Sequence, residues 1–209
     1  MKSKQKLTKN TKIRKNRKTK FKKLKNYDNQ RKYKDIISND NKKKQTPKIV
    51  YINGYGGENS TKPQILSDFL NLCIEFVSVD YNSLNDEIYQ GIKDKVKDAD
   101  IIIASSTGSY FARKICEEYN ITLISLNPVI DLQETFEKMK VMPPKLPKPD
   151  FQLLSEVIFV NDDDELIDYK KTLKKFQNQV SVYSGGGHRF TNIEETIPYL
   201  KKAIKFLLF

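Results

Sequence analysis

From Lys48 onward the chain alternates short apolar runs with longer segments whose apolar positions recur every three or four residues. "KIVYIN" (48–53) opens the series and predicts a short buried strand. "GYGGENSTKPQ" (54–64) then turns the chain and starts a helix: Thr61 and Gln64 fit a capping box and Pro63 suits a first turn. Ile65, Leu66, Phe69, Leu70 and Cys73 would share one face of that helix. "EFVSV" (75–79) predicts a second strand, residues 85–97 a helix, and "DIIIAS" (100–105) a third strand. In the next helix Tyr110, Phe111, Ile115 and Tyr119 make an inward side, with Arg113, Lys114, Glu117 and Glu118 expected to face out. "ITLISL" (121–126) predicts a fourth strand.

After Asn127-Pro128 the alternation stops for about 25 residues, where the four prolines of "VMPPKLPKPD" forbid regular helix or central strand. Residues 129–150 therefore read as a loop or small lid. "EVIFV" (156–160) resumes the series, followed by a helix from Ile167 to Phe176 and a strand "QVSVYS" (179–184). A last helix has Ile197, Leu200, Ile204, Leu207 and Leu208 on one face. Such alternation predicts an α/β fold: a mostly parallel sheet of about six strands with helices on both faces, a three-layer sandwich. In these sheets ligands bind beyond the carboxyl ends of the strands.

Charge separates the chain into two parts. Residues 1–48 hold 20 of the 38 Lys and Arg residues but only three of the 26 acids, so this stretch stands near +17 and the remainder near −5. Within residues 1–47 Leu7, Ile13, Phe21 and Leu24 are too sparse to mark a helical face, and the segment reads as a disordered Lys-rich tail ahead of a domain over 48–209. Its "TKIRKNRKTKFKKLK" could neutralise phosphates, so residues 1–45 suggest contact with nucleic acid or another polyanion, with a nuclear-import signal or a solvated extension as the plainer readings. Cys73 and Cys116 lack metal-type spacing and fit buried thiols in a reduced compartment. With no run long enough to span a bilayer and no apolar signal core, an intracellular, cytoplasmic or nuclear, protein is expected.

The chemistry gathers at strand ends. Ala104-Ser105-Ser106-Thr107-Gly108 matches the small-x-nucleophile-x-small pattern demanded by a tight strand-to-helix turn, with Ser106 at its centre. Ser105 would be flanked by Ile103 and Thr107, a branched pair that such a turn does not accommodate. A serine needs a base, and the only histidine, His188, follows a strand in "SGGGHRF". An acid to orient the base can come from "VNDDDELIDY", where Asp162, Asp163, Asp164 and the more distant Asp168 compete. Oxyanion donors are expected from the Thr107 N–H and from the "YINGYGG" loop, where Gly54 permits close approach and Tyr55 N–H, or alternatively that of Gly56, would donate. The same loop lacks the Gly-Lys-Ser/Thr of a phosphate loop and the third glycine of a dinucleotide fingerprint, and no cofactor or metal is expected.

"VYINGYGGENSTKPQILSDFL", "IIIASSTGSYFARKI" with "LISLNPVID", and "VIFVNDDDELIDY" with "SGGGHRFTNIEETIPYL" resemble segments of small single-domain α/β-hydrolase esterases of the YqiA-like kind. The resemblance covers residues 48–209. It implies a triad of Ser106, Asp164 and His188, and with it hydrolysis of a small-molecule carboxylic ester of a small or medium acyl group through an acyl-enzyme. This chain has Asn53 where that family usually has histidine before the oxyanion glycine, and Ala104 and Asp163 where it has glycine. Asn53 could still hold the loop, whereas the extra carboxylate of Asp163 would be expected to compete for His188. The rival expectation is an idle hydrolase body that binds nucleic acid through its basic tail.

Overall fold

The computed structural model describes residues 46–151 and 155–208. The basic segment before them, with its expected disorder and polyanion contact, lies outside the described residues. Six strands, β1 (Ile49–Ile52), β2 (Ile74–Val77), β3 (Ile101–Ser105), β4 (Thr122–Leu126), β5 (Glu156–Asn161) and β6 (Val180–Tyr183), form one sheet in the order β2-β1-β3-β4-β5-β6. Every neighbouring pair is parallel. Each crossover therefore carries a helix: α1 (Lys62–Leu70), α2 (Asp86–Val96), α3 (Thr107–Tyr119), α4 (Leu132–Met139), α5 (Tyr169–Phe176) and, after β6, α6 (Ile193–Leu208).

The period-two alternation of each strand decides which layer it feeds. Ile49, Tyr51, Ile101, Ile103, Ile124, Leu126 and Phe159 point to one face and pack with Leu66 and Leu70 of α1 and Ile193, Ile197, Leu200 and Ile204 of α6. Val50, Ile52, Ile102, Ala104 and Leu123 point the other way and meet Ile92 and Val96 of α2 and Phe111, Ala112, Ile115 and Cys116 of α3. The strands read as near-continuous apolar runs because both faces of the sheet are covered.

The strand order reverses once. The chain runs outward from β1 to β2, then crosses back to place β3 on the opposite side of β1. Ile52 and Ala104 stand in register at the ends of β1 and β3. The loop after β1 and the turn after β3 thus begin side by side at the switch point of the sheet, where an α/β sheet opens its ligand crevice.

Several local expectations are corrected. Thr61 makes no capping hydrogen bond, and Gln64 instead donates to Asp68 Oδ1 at 2.7 Å. The buried stripe of α1 runs through Pro63, Leu66 and Leu70, leaving Phe69 46% exposed. Cys73 falls beyond the helix and is exposed, while Cys116 is buried and its thiol is pushed well above its ordinary value by burial. The span 129–150 is not loop throughout, since α4 occupies its first half, capped by Asp131, whose carboxylate accepts from Glu134 N at 2.9 Å. The prolines begin only after that helix has ended. Arg113, expected outside, is wholly buried against Glu156. Among the described residues no helix is long and apolar enough to cross a membrane.

Candidate active site

Ser106 stands between β3 and α3 with φ 50° and ψ −124°, a conformation that costs a non-glycine residue about 1–3 kcal/mol. The turn is tied down on both sides. Ser106 N donates to Leu126 O at 2.9 Å, and Ser106 O accepts from Ser109 N at 3.0 Å and Val129 N at 3.2 Å. The small residues around it have a measurable reason. A Cβ on Gly108 would come within 2.2 Å of Asn53 O and 2.9 Å of Ile52 O, because α3 starts against the end of β1. Gly108→Ala is accordingly expected to destabilise the protein by about 3 kcal/mol, the upper end for overpacking against an interior. Urea unfolding checks this, and a variant within about 0.5 kcal/mol of the parent contradicts the packing argument. Ser105 turns away from the site and accepts from Tyr51 OH at 3.0 Å.

The loop after β1 lies directly against the serine. A Cβ on Gly54 would meet Ser106 Cβ at 2.9 Å and Ser105 O at 3.0 Å, so only glycine lets this backbone come so close. Gly56 takes φ 67° in the turn closed by Gly57 N donating to Gly54 O at 3.0 Å. Buried Asn53 staples the loop to the end of β2: its Nδ2 donates to Val79 O at 2.9 Å and Gly54 O at 2.8 Å, and its Oδ1 accepts from Val79 N at 2.7 Å. Its carbonyl accepts from Tyr81 OH at 2.7 Å, a phenol that burial holds well above its ordinary pKa and therefore protonated. Tyr55 N and Thr107 N have no acceptor among the described residues. Above this loop, Phe136 of α4 sets its ring edge-on to Tyr55, with centroids 5.0 Å apart.

The acid and the histidine arrive on the loops after β5 and β6. His188 Nε2 lies 2.9 Å from Ser106 Oγ, and His188 Nδ1 lies 3.0 Å from each oxygen of Asp164. Asp164 is nearly inaccessible, and its Oδ1 also accepts from Leu166 N and Ile167 N at 2.8 Å each. Two main-chain donors hold this carboxylate in one orientation, so the imidazole must carry its proton on Nδ1 and present Nε2 to the serine.

The neighbouring acids take other posts. Asp162 accepts from Ser184 Oγ at 2.9 Å, and Asp168 caps α5 through Lys170 N at 2.9 Å. Asp163 does not bond the imidazole, whose Nδ1 faces Asp164: its Oδ1 instead accepts from Gly187 N at 3.1 Å. Glu165 Oε2 accepts from His188 N at 3.0 Å. Both carboxylates bind the backbone of the histidine loop. Sequence reasoning missed Glu165 and three asparagines, Asn127, Asn161 and Asn192, that meet the loop from its other side. Asn-Pro after β4 was the one visible signal, and it reads as a turn.

A surface cavity of about 800 Å³ opens between α4, residues 143–151 and α5, with Tyr110, Leu132, Lys148, Phe151 and Lys175 among its walls. Neither Ser106 nor His188 borders it. Among the described residues no cluster of His, Cys, Asp and Glu is placed to hold a metal ion.

No protein-family model and no curated protein matches the chain, so the finer resemblance to YqiA-like esterases rests on the sequence motifs alone. Solved structures do match. Est1E from Butyrivibrio proteoclasticus aligns at a TM-score of 0.60 and 14% identity over 80% of this chain and 90% of its own. The esterase domain of a Rhodothermus marinus protein aligns at 0.54 and 11% identity, covering 77% of this chain and 86% of that one. RedJ, solved with a polyethylene glycol molecule in its active site, aligns at 0.50 and 11% identity over 76% and 90%. These likenesses show that the chain has the α/β-hydrolase fold.

Proposed function

We propose that the protein is a serine hydrolase that cleaves carboxylic esters of small or medium acyl groups through an acyl-enzyme. One observation carries the reading: a strained serine at the switch point of the sheet lies 2.9 Å from an imidazole whose other nitrogen is held by a buried carboxylate. Strain at the nucleophile is meaningful because it is retained against a cost and exposes the hydroxyl at the head of a helix. That the Rhodothermus marinus domain is named an esterase adds weight to the choice of ester over other acyl compounds.

In this mechanism His188 Nε2 takes the Ser106 proton as Oγ attacks the ester carbonyl. Asp164 keeps the imidazole in the required tautomer and stabilises the imidazolium that forms. The N–H groups of Tyr55 and Thr107 receive the oxyanion, a contribution of about 10²–10³ in rate for each donor. His188 then protonates the departing alcohol, and water, deprotonated by the same imidazole, releases the acid and regenerates Ser106. No further group is required by this chemistry.

The test is covalent capture. A fluorophosphonate should label the full-length protein stoichiometrically, and Ser106→Ala should abolish labelling. Absence of labelling in folded wild-type protein overturns the reading. Because Thr107 acts through its main chain, Thr107→Val should cost less than about tenfold in kcat/KM, well short of the loss of an oxyanion donor. Its Oγ1 is buried without a partner among the described residues, so removing that hydroxyl should leave stability unchanged or raise it by about 1 kcal/mol. Steady-state kinetics on a p-nitrophenyl ester and a thermal melt decide both points.

A further inference from the structure

We propose that Asn127 is a positioning residue that fixes His188 against Ser106, an inference that rests on the hydrolase reading above. The loop that carries the histidine is Ser184-Gly185-Gly186-Gly187-His188, and its three glycines take φ of 80°, 94° and 55°. Three consecutive glycines have more conformational freedom to lose than any other tripeptide, so their geometry must be imposed from outside. Asp163, Glu165 and Asn192 hold the loop at Gly187 N, His188 N and Gly185 O, and three further donors converge on one atom. Gly187 O accepts from Asn127 Nδ2 at 2.9 Å, Asn161 Nδ2 at 3.0 Å and Phe190 N at 3.2 Å. Asn127 Nδ2 also approaches His188 O at 3.3 Å.

Asn127 differs from the other two donors in what it is joined to. Leu126 O accepts from Ser106 N at 2.9 Å, and Val129 N donates to Ser106 O at 3.2 Å, so the residues flanking Asn127 grip the nucleophile's main chain. One short stretch, Leu126 to Val129, thus holds both ends of the proton-transfer pair. It holds Ser106 through backbone and His188 through a single carboxamide. Displacement of that carboxamide changes the separation of Oγ and Nε2 directly.

The residue type is demanded by the same geometry. Position 127 has φ 44°, a left-handed conformation that asparagine adopts more readily than other non-glycine residues. Asn127 is 2% exposed, and both ends of its amide are used: Oδ1 accepts from Asn161 N at 2.8 Å while Nδ2 donates to the histidine loop. The orientation of the amide is unambiguous, since the first partner is a donor and the second an acceptor. Aspartate has the same shape, keeps the first bond and loses the second, setting a carboxylate oxygen against two carbonyl oxygens.

The experiment compares wild type, Asn127→Asp and Ser106→Ala. Asn127→Asp is expected to fold, to lower kcat and the fluorophosphonate capture rate by about 10²-fold, the cost of misplacing a reacting group by about 1 Å, and to leave KM within about twofold. A capture rate within threefold of wild type overturns the proposal. Should Asn127→Asp not fold, Asn127→Ser, which removes the donor without adding charge, is judged on the same criterion. His188 is the only histidine, so its ring signals in a ¹⁵N spectrum need no assignment. Loss of a protected Nδ1–H signal in the variant supports the proposal, and its retention counts against it. If wild type is not captured at all, the hydrolase reading falls, and this signal alone decides whether Asn127 holds the imidazole.

Discussion

Ser106→Ala is expected to lower kcat for ester hydrolysis by about 10⁶-fold while leaving the fold intact, the size of loss seen when a triad nucleophile is removed elsewhere. The expectation of an intact fold is structural. Among the described residues the Ser106 hydroxyl has one partner, His188 Nε2, and every other tie at this position is made by main-chain atoms that alanine also possesses. Alanine keeps the Cβ as well, so it inherits the same strained φ and ψ and neither gains nor loses strain. Residual activity of about 10³–10⁴ over the uncatalysed rate should remain, because the Tyr55 and Thr107 donors and substrate binding are untouched. Kinetics on p-nitrophenyl acetate with a parallel thermal melt provide the check. A variant that retains more than about a tenth of wild-type kcat would show that Ser106 is not the nucleophile, since no other triad effect leaves so much activity.

The second large effect concerns stability. Arg113→Met should destabilise the protein by about 3–5 kcal/mol, the usual cost of leaving a buried charge without its partner. Arg113 and Glu156 side chains are wholly inaccessible. Arg113 Nε donates to Glu156 Oε2 at 3.0 Å, Ser125 Oγ donates to Glu156 Oε1 at 2.6 Å, and the guanidinium lies over Phe151 and Phe176 at 4.9 and 5.1 Å. Without the arginine, a carboxylate at the first position of β5 keeps only the Ser125 hydroxyl. Arg113→Met/Glu156→Met should recover most of the loss, because no charge is then left alone in the interior. Urea midpoints at constant m decide between these outcomes. A double variant no more stable than Arg113→Met would mean that the pair is favourable in its own right.

Arg113 also shows where helical periodicity misleads. Around α3 every residue from Thr107 to Arg113 is buried, because the helix has the sheet beneath it and the segment ending at Phe151 beside it. A helical wheel assigns one outer face and places the charged residue there. The partner that makes burial tolerable, Glu156, comes 43 positions later on a strand, and nothing within α3 announces it. Glu117, also expected outside, accepts from Asp150 N and Phe151 N at 3.0 Å each and so clamps the segment that covers the helix. The helix α4 was obscured for the opposite reason. Its Asp131 cap and Glu134 are ordinary helix-start residues, but the prolines just beyond them dominate the reading of the whole stretch.

What the sequence by itself determined is what short-range physics controls. Alternating apolar runs and amphipathic segments specify six strands, their parallel pairing and helices on both faces, since burying two faces of a sheet leaves few other solutions. The small residues flanking Ser106 are equally local, being set by the sterics of one turn. The tertiary structure alone decided the rest: that β1 and β3 are neighbours, that Asp163 takes Gly187 N and leaves the imidazole to Asp164, the acid the motif resemblance had singled out, and that Asn127 joins the serine turn to the histidine loop. These depend on distances between strand ends separated by 24 to 82 positions in the chain. Hydrogen bonds select among adjacent carboxylates and amides within a few tenths of an ångström, a discrimination that residue type and spacing cannot express until the sheet has set the loops side by side.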